Sequence, residues 1–181
     1  MAVKRKLILY IAQSLDGYIA ADNDDISWLS MVEKPGEDYG YHQFLNDVDT
    51  VIMGRRTYDK VLSFGIEFPH KARKCYVVSK TKTGSDENVE FIGDQLKTFV
   101  ESLKQQPGKN IYLDGGASLV QEFLKLGLID EMVISVIPIL LGESPQKGIR
   151  LFGPLKLRRE LKLLESQSFE SGLIQLRYAL K

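Results

Sequence analysis

Three stretches of the chain set residue types that bind phosphate directly after apolar runs. "VIMG" (51–54) leads into Arg55, Arg56 and Thr57; "YVVS" (76–79) ends at Ser79 and leads into Lys80, Thr81 and Lys82; "IYLDGG" (111–116) leads into Ala117, Ser118 and Leu119. A helix opening at such a point exposes unpaired N–H groups and carries partial positive charge, so it attracts anions. Glycines such as Gly54, Gly115 and Gly116 let a phosphate touch the backbone. Arginine adds a bidentate grip and lysine a point charge. Each stretch alone is more usually ordinary structure: a turn needing positive φ, a solvated helix start, a polar loop. The spacing is neither G-x-G-x-x-G nor a P-loop. What unites the three is position, at the carboxyl ends of strands where open α/β sheets bind ligands. Together they point to a multiply phosphorylated ligand such as a dinucleotide.

For acid–base chemistry the candidates are Asp16, Asp38 and Asp114. Asp16 lies in the turn "SLDG". Asp38 opens a short helix, which it can simply cap; in a cleft beside Trp28, burial would instead raise its pKa and suit it to proton delivery. Asp114 abuts the glycines and can fix their turn through side-chain hydrogen bonds. Trp28, the only tryptophan, is either core or a ring-stacking platform. His42, His70 and the single cysteine, Cys75, are too scattered for a metal-ligand cluster. Cys75 sits mid-strand and reads as a buried, inert thiol. The chain has no G-x-S-x-G and no plausible Ser/His/Asp triad.

The elements that must position these residues alternate in type. "LILYIA" (7–12), "DTVIMG" (49–54), "KCYVVSK" (74–80), "VEFIG" (89–93), "NIYLDGG" (110–116) and "IDEMVISVIPILLG" (129–142) read as strands, most of them continuous apolar runs suited to a sheet covered on both faces. "GEDYGYHQFLNDV" (36–48) reads as a short amphipathic helix, and "RRTYDKVLSFG" (55–65) as another. "DQLKTFVESLKQQPG" is a third, with Asp94 as candidate N-cap, and "SLVQEFLKLG" a fourth, ending at Gly127. Two alternating runs split by "ESG" (170–172) predict an antiparallel hairpin with one face buried. Strands alternating with helices imply βαβ units and a largely parallel sheet. No linker divides residues 1–181, which read as one domain.

Composition narrows the function classes. Apolar residues make up 44% of the 181, enough for a core, and 24 basic side chains balance 24 acidic ones. That balance gives no electrostatic case for nucleic acid or an anionic membrane. One cysteine allows no internal disulfide and suits a cytoplasmic, reducing setting. Gln13, Ser14 and Asp16 interrupt the first apolar run, so it reads as a strand rather than a leader. No apolar stretch reaches the length needed to cross a bilayer.

Four motifs in order, "ILYIAQSLDGYIA", "VIMGRRTYD", "YVVSKT" and "IYLDGGASLVQEFLKLGLIDEMVISVIPILLG", resemble the dihydrofolate reductase-like superfamily. Within it the chain is most similar to the reductase domain of the riboflavin-biosynthesis deaminase-reductase, from about residue 6 to 180. The resemblance implies a three-layer α/β/α fold, with a mostly parallel central sheet and an antiparallel C-terminal hairpin. It implies NADPH as cofactor. Gly54, Arg55, Arg56 and Thr57 would hold its phosphate-bearing part, Ser79 and Lys80 would lie near the 2′-phosphate, and Gly115 to Leu119 would cradle the pyrophosphate. Ala12 would approach the nicotinamide through its backbone. Asp38 matches the acid that assists protonation in dihydrofolate reductases, Ser135 would face the ring junction, and Asp16 and Trp28 would wall the substrate. Tyr18 stands where the riboflavin enzymes carry a lysine, and no deaminase motif is present. The implied protein is a stand-alone, homodimeric reductase that passes hydride to a small heterocycle; dihydrofolate reductase activity and a non-catalytic nucleotide-binding module are the alternatives.

Overall fold

The computed structural model describes residues 4–142 and 147–181. Its strands and helices run β1 (Leu7–Ser14), β2 (Tyr18–Ala20), α1 (Tyr41–Asn46), β3 (Val48–Gly54), α2 (Arg55–Ser63), β4 (Lys74–Val78), β5 (Gly84–Ser85), β6 (Glu90–Ile92), α3 (Leu96–Gln105), β7 (Asn110–Gly115), α4 (Ala117–Lys125), β8 (Glu131–Ile137), β9 (Ile149–Arg150), β10 (Leu161–Ser168) and β11 (Ile174–Leu180). Nine strands form one sheet in the order β10-β11-β8-β1-β7-β3-β4-β6-β5, while β2 and β9 pair separately. The central pairings are parallel; the edges at β11, β10 and β5 are antiparallel.

Strand side chains alternate between faces, and each face finds its own helices. Leu7, Leu9, Ile111, Leu113 and Ile134 pack against Val100 and Leu103 of α3 and Val120 and Phe123 of α4. On the other face Val51, Met53, Cys75, Val77 and Tyr112 meet Phe44 and Leu45 of α1 and Tyr58 of α2. The result is the three-layer arrangement the sequence predicts. Cys75 is buried, and that burial pushes its thiol up to about 12, so it is inert.

The amino edge of the sheet is tied by charge. Arg5, only 5% exposed, donates to the carbonyls of Lys109 (2.6 Å) and Leu103 (3.3 Å), to Thr50 Oγ1 (2.7 Å) and to Asp49. Glu131, at the first position of β8, accepts from Lys6 (2.5 Å) and Arg177 (2.7 Å), and Lys104 pairs with Asp130 at 2.5 Å.

Several features differ from the sequence reading. The helix expected over 36–48 forms only at Tyr41–Asn46, because Gly36, Tyr39 and Gly40 take positive φ and the chain before Tyr41 stays extended or turned. α3 begins at Leu96 with Gln95 at its N-cap and no side-chain cap bond, so Asp94 does not cap it. The last apolar strand stops at Ile137 instead of 142, since Pro138 brings no N–H to a ladder. The hairpin pairs β10 with β11 as expected, but every residue of β10 is exposed, leaving Leu161, Leu163 and Leu164 41–52% accessible.

Candidate functional site

The carboxyl edge brings two helix starts side by side. β3 ends at Gly54 and passes directly into α2; β7 ends at Gly115 and passes through Gly116 into α4. Neither helix has a side-chain cap bond, so their first-turn amides face the edge. A Cβ on Gly54 would lie 3.5 Å from the Gly115 carbonyl oxygen and 3.6 Å from the Gly116 nitrogen, and one on Gly116 would press to 3.2 Å on Thr57 Oγ1. Gly115 takes φ +111°, a conformation side chains resist. Gly115 is therefore required by its backbone conformation and, where the two strand ends approach, Gly116 is tightly placed against Thr57, whereas a Cβ on Gly54 would make only an ordinary contact. That approach does not seal the edge: Gly115, Ala117 and Leu119 are buried, but Gly116 is half-buried and Ser118 exposed.

Basic residues flank this gap. Arg55 Nε lies 2.8 Å from both carboxylate oxygens of Asp59, and Arg56 reaches Asp24 at 2.9 Å. Arg55 and Lys82 also approach the Phe91 ring, at 6.0 and 5.3 Å from its centroid. Ser79 is buried and its hydroxyl accepts the N–H groups of Thr81 (3.2 Å) and Lys82 (2.9 Å), shaping the loop that displays Lys80 to solvent. Bare backbone at two uncapped helix starts, with cations on the rim, fits a pyrophosphate and a further phosphate.

Beside this edge, over β1 and β8, opens a cavity of about 660 Å³. Its floor carries Tyr10, Ala12, Ser135 and Ile137; its walls carry Leu29, Val32, Tyr39 and Leu173; its rim carries Glu33, Lys34, Pro35, Glu37 and Asp38. Of the residues singled out from the sequence, Ala12, Asp38 and Ser135 meet here. Asp16 and Trp28 are not on the lining. The Asp16 carboxylate accepts from the amides of Leu141 (3.2 Å) and Gly142 (2.9 Å) and from Ser14 Oγ (2.6 Å), fastening the chain after β8. Trp28 is buried with Val32, Ile137 and Leu173 in a small core behind the wall.

Asp38 behaves as its capping alternative predicts. Its carboxylate accepts the N–H of His42 (2.9 Å) and of Gly40 (3.0 Å) and lies against His42 Nδ1. The bond from the His42 amide, helped by the His42 ring, holds its pKa below the ordinary value, the opposite of the burial-driven rise expected in a cleft. Asp114 does not bond its own turn; it accepts from Tyr112 Oη at 2.5 Å and sits 3.7 Å from buried His70.

Sequence reasoning missed Tyr10, Tyr39 and Gln175. Tyr39 is held at both ends: its carbonyl accepts from Tyr10 Oη (2.8 Å), and its hydroxyl donates to the Val32 carbonyl and lies 2.9 Å from Ser171 Oγ. No local motif announces these contacts. The one available signal was the pair Gly36 and Gly40 around Tyr39, which marks irregular backbone.

The three layers and the ligand edge define a dihydrofolate reductase-like α/β fold. A dihydrofolate reductase from Enterococcus faecalis, solved in complex with NADP(H), superposes over 100% of this chain and 99% of its own with a TM-score of 0.65, at 12% identity. Within that fold, the RibD C-terminal domain family matches residues 5–175, and the chain belongs to that family. It is 42% identical to the Bacillus subtilis protein YwjB over 177 residues, 97% of this chain and 98% of that one. A crystal structure of a Shewanella sp. PV-4 protein named for riboflavin biosynthesis is 35% identical, covers 97% of this chain and 99% of its own, and gives a TM-score of 0.87. Among the described residues no helix is long and apolar enough to cross a membrane.

Proposed function

We propose that the protein is an NADPH-dependent reductase of a small heterocyclic substrate, working as a cytoplasmic homodimer. The carrying observation is adjacency. The gap between the two helix starts lies at the ends of β3 and β7, and β1, the next strand after β7, brings Ala12 to the cavity floor. A dinucleotide held by Gly116, Ala117 and Ser118 at its pyrophosphate would reach Ala12 with its nicotinamide. Arg55 and Arg56 would exchange their carboxylate partners for the extra phosphate, and Lys80 and Lys82 would reach it from the loop after β4.

When bound, NADPH supplies a hydride to a C=N or C=O carbon. The chain's part is positioning and exclusion of water. Leu29, Val32, Ile137 and Leu173 dry the cavity, and Ser135 offers a hydroxyl at its floor. Asp38 stays ionised at neutral pH and serves as a fixed negative charge beside a substrate nitrogen, with the proton arriving from water. Asp38→Asn then lowers kcat/KM by about tenfold, equally from about pH 5 to 8. An effect that appears only on the acid side would make Asp38 the donor.

The rim bears on the substrate. Glu33, Glu37 and Asp38 face one lysine, Lys34, whose ammonium lies 3.4 Å from Glu170. Such a mouth repels a phosphoribosyl group, and equally the glutamate tail of dihydrofolate. It favours a neutral or cationic heterocycle. For the dimer, the apolar residues of exposed β10 supply the contact face, and sedimentation of the purified protein as a monomer would remove that part.

Calorimetric titration with NADPH and NADH tests the cofactor. At least tenfold tighter NADPH binding is expected, and equal affinities overturn the assignment. Oxidation of NADPH is then followed with 5-amino-6-ribosylaminouracil, its 5′-phosphate and dihydrofolate. Tight NADPH binding with no turnover on any of these or on simple pteridines leaves a nucleotide-binding module.

A further inference from the structure

Ala12, Ser135 and Gln175 form a row across three neighbouring strands: Ala12 pairs with Ser135 between β1 and β8, and Ser135 pairs with Gln175 between β8 and β11. Directly paired residues share a face of the sheet, so the Gln175 side chain stands beside Ser135, next to the cavity floor. Its amide nitrogen is 3.1 Å from Ser135 Oγ, 2.9 Å from Tyr10 Oη and 3.1 Å from the Tyr39 carbonyl oxygen. A carbonyl only accepts, so the nitrogen and not the oxygen of the amide must face this group. Tyr10 gives its own proton to the same Tyr39 carbonyl. The two N–H groups of Gln175 thus serve three acceptors, one shared between Tyr10 Oη and the Tyr39 carbonyl and the other on Ser135 Oγ.

The consequence falls on Ser135. It is 5% exposed and lines the cavity, its oxygen is occupied as an acceptor, and no acceptor for its proton is found among the described residues. A buried hydroxyl proton without a partner is costly, and a substrate atom can satisfy it. Gln175 also fixes Tyr39, whose φ of 57° is unusual for a side-chain-bearing residue, and with it the wall opposite the floor.

We propose that Gln175 is the positioning residue of the substrate cavity: it holds Ser135 as an acceptor, which leaves the Ser135 proton for a carbonyl oxygen or ring nitrogen of a flat heterocycle lying over Ala12. This rests on the reductase reading given above. It adds what the substrate must present at the floor, an acceptor edge, and names the residue that enforces it without touching the substrate.

The test is a double-mutant cycle read by calorimetric binding of lumazine, a bicyclic ring with carbonyl acceptors, to protein saturated with NADP+. Ser135→Ala and Gln175→Leu are each expected to weaken lumazine about tenfold. The double variant should lose clearly less than the two single losses combined, because Gln175 acts in large part through Ser135 and otherwise through Tyr39. If Gln175→Leu does not fold, Gln175→Glu, which keeps the size and removes both donors, takes its place. Additive losses, or no loss in the single variants, overturn the proposal. So does a wild-type protein that binds NADPH but not lumazine at millimolar concentration. NADPH titrated alone involves neither residue; failure there strikes the reductase reading and not the assignment of Gln175.

Discussion

The two ends of the central sheet are built on opposite principles. At the amino edge, polar groups are paired: Arg5 spends its guanidinium on four partners, and Glu131 is gripped by Lys6 and Arg177. At the carboxyl edge they are left open: two helices start without side-chain caps, Gly116 is half-exposed, and the Ser135 proton lacks an acceptor among the described residues. An edge that holds a ligand, as proposed here, cannot also satisfy its own donors. The fold tolerates unmet donors at one end because the strands are registered at the other. Variants should therefore separate, with stability responding to the amino edge and binding to the carboxyl edge.

The largest effect expected is Arg5→Met. It keeps the apolar stem and removes every one of the four bonds, leaving Asp49 and two carbonyls without a cation. Breaking a largely buried charged hub of this kind costs about 3 kcal/mol, or about 6–12 °C in Tm for a chain of this size. NADPH affinity should not change. A variant that melts like the wild type, or that loses cofactor while folded, breaks the separation.

Gly116→Ala is the converse. Its φ of −80° is one that residues with side chains adopt. The new methyl would press on Thr57 Oγ1 from 3.2 Å, inside the gap between the two helix starts. Stability should fall by about 1 kcal/mol or less, while NADPH affinity falls at least about tenfold, 1.4 kcal/mol. Fluorescence titration against thermal unfolding separates the two. Unchanged cofactor binding would mean that the bare backbone serves only strand packing, the plainer reading with which Gly115 and Gly116 began.

The same contrast explains what could be read from the sequence. The strand-to-helix turns of the proposed cofactor edge were legible because their constraints are local: a strand, a glycine and a helix start lie within a few consecutive residues at Gly54–Thr57 and Gly115–Ser118. The strands were legible from continuous apolar runs, although their ends were set by single residues such as Pro138. The substrate cavity was mostly hidden. Its floor joins Tyr10 and Ala12 of β1 to Ser135 of β8, Gln175 of β11 bonds Tyr10 and Ser135 from beside it, and Tyr39 enters from a segment that reads as helix by periodicity but is bent by Gly36, Tyr39 and Gly40. Asp38 was singled out by its place in the chain, yet its lowered pKa depends on the His42 amide and ring and the Gly40 amide, which only the turn brings to it. Asp16 shows the reverse error: its position in a tight turn was plain, but not that its carboxylate would be used up on Leu141 and Gly142.

The smallest effect, and the sharpest in pH, is expected from Glu131→Gln. Burial alone would push the Glu131 pKa up, but hydrogen bonds and charge from Lys6 and Arg177 outweigh it and hold it below the usual 4.5. A carboxylate whose folded pKa is depressed adds stability that is complete above its unfolded value and disappears as pH falls through its folded one. Both partners are substantially exposed, 50% for Lys6 and 42% for Arg177, so solvent weakens the pair and the contribution is about 1 kcal/mol. The difference in Tm between wild type and Glu131→Gln should be constant above about pH 6 and shrink as pH drops below about 4.5. Lumazine and NADPH affinities at neutral pH should match the wild type, although β8 carries Ser135 only four residues further on. A change in lumazine affinity would show that the register fixed at the amino edge reaches the cavity floor, and the two edges could no longer be treated as independent.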